Sequence, residues 1–224
     1  MSALREGAGW LLALDTSTST IVVAAGTVDG TLIAAEAFEG RYRHSQELLP
    51  AMVRMIEGAG LRLADLAAVV VGTGPGAFTG LRVGIATAKT LAHELGRPLV
   101  GIPSSSALLD AVGNDAVLWL SSGPRDRVMV RVGGDPVVVP GDADVAGIRE
   151  VAVDLAGRAS EAALELGREA VAGLPAALLR LGAARLAAGE SDDPERLVPG
   201  YASPPRGAPI EAPEGSVAWS RDPR

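Results

Sequence analysis

The chain has 224 residues, 48% of them hydrophobic, which is enough apolar material for a packed core in one large domain or two small lobes. It has no cysteine, which excludes a disulfide framework and any thiolate metal site and makes a cytoplasmic setting the expectation. A formal net charge of -7 sets the field of the whole molecule against phosphate backbones, so tight nucleic-acid binding by this chain alone is disfavoured.

The apolar run WLLAL at 10–14 is too short for a signal-peptide core and meets Asp15 at once, and no run approaches the ~18 apolar residues of a membrane span. Neither secretion nor membrane insertion is expected. GWLLALDTS (9–17) instead reads as a buried strand that delivers polar groups at its end. TIVVAAGTV (20–28) and TLIAAEAF (31–38) follow as strands, joined by Asp29-Gly30, a dipeptide that accepts the positive φ of a tight hairpin.

In HSQELLPAMVRMIEGAG (44–60) the apolar residues Leu48, Leu49, Met52, Val53 and Ile56 recur at helical spacing. Ser45 is the expected cap, Gly58 or Gly60 the expected stop, and Pro50 is placed near the first turn. LAAVVVG (66–72) is a strand covered on both faces, TGLRVGIATAKTLAHELG (79–96) a helix with Leu81, Ile85, Ala88, Ala92 and Leu95 on one stripe, PLVGI (98–102) a strand and SSSALLDAV (104–112) a capped helix. The order β-β-β-α-β-α-β-α is that of one lobe of the actin, sugar kinase and Hsp70 superfamily.

The second half patterns more weakly. AVLWLSS, DRVMVRV, PVVVP, REVAVDL and EAVAG read as short strands and PAALLRLGAARLAAG as a helix. The second half reads as a reduced second α/β lobe, and the resemblance to that superfamily implies an α/β fold of two actin-like (RNase H-like) lobes: lobe one over 1–110, lobe two over 111–200, with a proline-rich tail over 201–224 expected to be flexible.

The run VVVGTGPGAFTGLR (69–82) has the outline of a nucleotide-binding loop. A phosphate loop of the Walker type needs Lys followed by Ser or Thr after its glycines, and Phe78 and Thr79 stand there. The spacing Gly72, Gly74, Gly76 with Gly80 beyond also misses the dinucleotide fingerprint. Unpaired amides at the helix start could attract an anion. The simpler reading is a sharp strand-to-helix turn through Gly74, Pro75 and Gly76, with Thr79 as cap.

Beyond it Gly80, Gly84, Ala88 and Ala92 recur every four residues, leaving one helix edge almost without side chains. Such an edge lets another helix approach closely, either the helix at 45–58 or a partner. Arg82, Lys89 and His93 form a neighbouring basic stripe, read as a solvated face.

Catalytic motifs are sparse. The two histidines, His44 and His93, are far apart in sequence, and no serine sits in a nucleophile elbow, so no catalytic or metal-ligating set is assigned. Asp15 stands where a kinase of this fold would hold magnesium. AVLWLSS offers no second aspartate, so Asp15 is a vestigial cleft residue bonding its own turn.

GTGPGAFTGLRVGIATAKTLAHELGRPLVGIPSSSAL, LLALDTSTSTIVVAA and RHSQELLPAM together resemble the TsaB (YeaZ) family, over roughly residues 10–110. The residues Gly74, Pro75, Gly76, Phe78, Thr79, Gly80 and Arg82 carry the family motif. The resemblance implies a non-catalytic partner of the transferase TsaD in making threonylcarbamoyladenosine on tRNA, with the ATPase TsaE joining them. ATP and metal are then expected on the partner proteins, and tRNA is met only through the complex.

It also implies a helical-bundle interface from the segments at 45–58 and 79–95. Leu48, Met52, Met55, Ile56, Leu81, Gly84, Ile85 and Ala88 are the expected interface residues, and they would serve a homodimer equally well. The alternative is an actin-fold enzyme, a kinase or a metal-dependent glycoprotease or transferase. Two features depart from the family: SSGPRDRVMVRV lacks its aromatic strand, and the near-terminal segment keeps only Pro199 and Tyr201.

Overall fold

A computed structural model describes residues 9–40, 44–122, 125–143, 145 and 147–202, with the side chains of 44 and 45 excepted. The expected helix start at Ser45 and the tail beyond 202 therefore lie wholly or partly outside the described atoms.

The first sheet has strands β1 (Trp10–Asp15), β2 (Thr20–Thr27), β3 (Leu32–Glu39), β4 (Leu66–Gly72) and β5 (Leu99–Ile102) in the order β3-β2-β1-β4-β5. The hairpin strands pair antiparallel, while β1, β4 and β5 run parallel. The second sheet has β6 (Ala116–Ser121), β7 (Asp126–Val130), β8 (Val137–Pro140) and β9 (Arg149–Val153) in the order β8-β7-β6-β9, with β6 and β9 parallel.

Strand parity assigns each side chain to a layer. On β1, Trp10, Leu12 and Leu14 face helices α1 (His44–Gly58) and α2 (Phe78–Glu94), while Leu11 and Ala13 face the other way. There they meet α3 (Ser104–Val112) and α4 (Glu161–Ala187), whose far side packs on Leu118 and Leu120 of β6. The molecule is thus four layers deep: α1 and α2, the first sheet, α3 and α4, the second sheet. A smaller cluster around Trp119 covers the outside of the second sheet.

The middle layer explains where the sequence reading failed. EAVAG is not a strand: α4 is one helix of 27 residues running straight through it and through Pro175, which forfeits one helical bond toward Val171. Ser160 caps it by accepting from the Ala163 N–H. A helix covered by sheets on both sides has no single apolar stripe, so helical periodicity is blurred. Full burial of Leu174, Leu178 and Leu179, about 1.5–3 kcal/mol each, offsets the cost of the proline. By length and composition α4 could also cross a membrane, but here it is the core helix between the two sheets.

Helix starts are also corrected. α1 begins at His44, one residue before the expected cap Ser45, and Pro50 lies in the second turn. α2 begins at Phe78 with Ala77 at its N-cap, so Thr79 lies inside the helix; α3 has Pro103 in that place and no side-chain cap. The stop of α1 is as expected: Gly60 takes φ +66, and the Leu61 N–H bonds the Ile56 carbonyl at 3.0 Å.

Candidate functional site in the first lobe

Parallel pairing of β1 and β4 brings their carboxyl ends side by side, Asp15 on one and the glycine loop on the other. Asp15 is fully buried. Its Oδ1 accepts from the Ser17 N–H at 2.8 Å and the Ser17 hydroxyl at 2.7 Å, and its Oδ2 accepts from the Ser104 hydroxyl at 2.5 Å. Ser104 in turn accepts from the Gly74 N–H at 3.0 Å. Burial pushes the Asp15 carboxyl above its ordinary range, while the bonds from Ser104 and Ser17 pull the other way.

The glycines of the loop are places of close approach. A Cβ on Gly72 would strike the Asp15 carboxylate, and one on Gly76 the Ser17 carbonyl. Gly74 takes φ +100 and precedes a cis peptide to Pro75. The loop amides are spent internally: Thr73 N–H on the Ile102 carbonyl at 2.8 Å, Gly74 N–H on Ser104, and Ala77 N–H on the Ser17 carbonyl at 2.6 Å. The loop is a tied turn in which those three donors already have partners.

The small-residue edge of α2 faces inward. Thr16 donates its hydroxyl to the Gly80 carbonyl at 2.7 Å, and a Cβ on Gly84 would meet that same Thr16 oxygen. Leu81, Ile85 and Ala88, with Leu48, Met52, Met55 and Ile56 of α1, are likewise buried in the chain's own core. The residues expected at a partner interface are therefore buried within this chain, against its own first sheet. Apolar spacing identifies which stripe is buried, and the first sheet is what buries it.

The outward side carries Leu49 at 52% exposure, Val53 at 50% and Phe78 at 40%. Arg82 and His93 are exposed and Lys89 half-buried. Arg82 is not simply solvated: its guanidinium lies 4.0 Å over the Phe78 ring, and its Nε donates to the Tyr201 hydroxyl at 3.1 Å.

A second contact, which the sequence reading missed, joins the two sheets. The Ser19 N–H donates to Asp154 Oδ2 at 2.7 Å and the Ser19 hydroxyl to Oδ1. Asp154 follows β9 directly, so a carboxylate does stand at a strand end of the second half, signalled by the apolar stretch Val151, Ala152 and Val153 running into Asp. It serves Ser19, and among the described residues no three of His, Asp and Glu gather where they could hold a metal. The side chain of His44 lies outside the described atoms.

The fold has a solved counterpart in YeaZ from Pseudomonas aeruginosa, with TM-score 0.66 and 25% identity, covering 86% of this chain and 99% of that one. TsaB of Bacillus subtilis, a tRNA threonylcarbamoyladenosine biosynthesis protein, is 36% identical over 44% of this chain and 42% of its own length. An uncharacterized protein of Mycobacterium tuberculosis is 33% identical over 89% of this chain and 94% of its own. The family model for TsaD, tRNA N6-adenosine threonylcarbamoyltransferase, matches residues 39–164, more than half of the chain. The chain belongs to the TsaD/TsaB (YeaZ) family. The TsaD match spans α1, the glycine loop, α2 and the whole of the second sheet, so it reaches beyond residues 10–110, where the sequence motif lies.

Proposed function

We propose that this chain is the TsaB-type, non-catalytic partner of a TsaD transferase in forming threonylcarbamoyladenosine on tRNA. The observation that carries the reading is the division of α1 and α2 into two faces. One is consumed by the first sheet, and the other presents Leu49, Val53 and Phe78 to the outside. Contiguous exposed apolar surface marks docking faces, and Leu49 and Val53, one turn apart on α1, are read with Phe78 as part of one. On this reading the interface residues are Leu49, Val53 and Phe78 in place of the buried Met52, Ile56, Gly84 and Ala88.

Chemistry on this chain is disfavoured by what its one vestigial cleft residue already does. Both Asp15 oxygens are engaged by Ser17 and Ser104, and Gly72 packs against them. Magnesium there would have to displace bonds that hold the loop. ATP and metal then belong to the partners, TsaE joins the pair, tRNA is met by the assembly, and the setting is the cytoplasm. The second reading, an actin-fold transferase, is favoured by the name of the matching family model.

Reconstituting threonylcarbamoyl transfer with TsaD and TsaE, with and without this chain, separates the two. Transfer is expected only with the chain present, and the chain alone is expected to turn over neither ATP nor the threonylcarbamoyl group. An unchanged rate in its absence refutes the partner reading, and turnover by the chain alone establishes the enzyme reading.

A further inference from the structure

After α4 the chain does not simply trail away. The Asp192 N–H bonds the Leu99 carbonyl at 2.7 Å, and its carboxylate accepts from the Gly101 N–H at 2.7 Å. Arg185 donates to the Gly101 carbonyl at 2.9 Å and to Asp192 at 2.9 Å, so an ion pair occupies the edge of β5 where another strand would lie. Leu197 packs into the core under α1 and α2. The Gly200 N–H then bonds the Thr73 carbonyl at 2.7 Å, seating the chain on the glycine loop. Tyr201 arrives at the start of α2, its ring stacked on Phe78 at 4.9 Å between centroids and its hydroxyl on Arg82.

We propose that this strap, residues 192–202, and the start of α2 form one composite docking surface, Phe78, Arg82 and Tyr201, for an acidic-rimmed face of the partner transferase. The proposal rests on the partner reading above. Its chemistry is that of an interface anchor, since aromatic residues and arginine dominate such centres, and here they hold one another in place before any partner arrives.

Charge supplies the complementarity. In a chain of net charge -7, the segment from Phe78 to His93 contains Arg82, Lys89 and His93 and no carboxylate. A partner face with acidic groups around an apolar patch fits that stripe.

The test measures the dissociation constant of the purified full chain with TsaD, together with the melting temperature of each variant. Tyr201→Ala and Phe78→Ala are each expected to weaken binding about tenfold or more with melting nearly unchanged, and Tyr201→Phe, which keeps the stack, to weaken it less. Arg82→Gln is expected to weaken binding and flatten its dependence on salt. Should Tyr201→Ala unfold, Phe78→Ala decides, since that side chain is exposed. Wild-type binding with both alanine variants within about twofold of it overturns this proposal alone. No binding by the wild type overturns the partner reading, and this proposal with it.

Discussion

Ser104 and Asp15, 89 positions apart, are joined by a buried hydrogen bond, the serine hydroxyl donating to Oδ2 at 2.5 Å. The same oxygen of Ser104 accepts from the Gly74 N–H, so one hydroxyl ties α3, β1 and the glycine loop together. Ser104→Ala leaves a buried carboxylate oxygen and a buried amide without their partner. It is expected to cost about 1–3 kcal/mol in chemical denaturation, without loss of secondary structure.

The carboxyl itself sets a dependence on pH. Burial raises the Asp15 pKa in the folded chain, so the folded state keeps its proton to higher pH than the unfolded state does. Stability from this group is therefore intact below the unfolded pKa and falls as pH rises through the folded one. Asp15→Asn removes that slope. The difference in unfolding free energy is expected to move in favour of the variant as pH climbs from about 3 to about 8. Parallel curves for the two proteins would mean that Asp15 ionises as an ordinary carboxylate.

Neighbouring residues of α1 separate the two roles of that helix. Met52 is buried in the core, and Met52→Ala is expected to cost about 2–5 kcal/mol. Val53, half exposed on the outer face, is expected to tolerate Val53→Asp within about 0.5 kcal/mol. Loss of TsaD binding in Val53→Asp, with denaturation unchanged, would locate the docking face on the outer side of α1.

Gly84→Val discriminates core from interface on α2. A Cβ at this position runs into the Thr16 hydroxyl, itself bonded to the Gly80 carbonyl. The variant is expected to lose about 1–3 kcal/mol of stability in the free chain, before any partner is added. A free chain as stable as the wild type, with binding alone lost, would return Gly84 to the interface.

The contrast between Gly84 and Val53 shows what the sequence made legible. Spacing every four residues announces a closely approached helix edge, but at Gly80 and Gly84 the approach is made by Thr16 at the end of β1 and not by the second helix that the spacing predicts. Periodicity does not say whether the approaching surface is the chain's own sheet or another protein, because both demand small or apolar side chains. The strand and helix order of residues 9–112 could be read because each element there has one buried face or is apolar throughout. In α4, sandwiched between sheets, Pro175 and Gly173 resemble a break, and only tertiary burial carries the helix through them. Asp15 was legible at the end of an apolar run. Its partner Ser104 was not, since nothing local in SSSALL announces a contact with β1.

Asp154 is held at φ +58, the one described residue other than glycine with positive φ, while its carboxylate accepts from Ser19 across the gap between the sheets. Aspartate tolerates the left-handed region better than most residues, so backbone and side chain both favour it here. Asp154→Gly loses the clasp but keeps the conformation, whereas Asp154→Ala loses the clasp and adds a steric penalty at Cβ. Glycine is therefore expected to be more stable than alanine by about 1 kcal/mol in denaturant titrations. This reverses their usual order, in which alanine wins by restricting the unfolded chain. Alanine equal to or above glycine would show that the turn after β9 relaxes once Ser19 is released, and that the clasp, not the chain's path, imposes the left-handed backbone.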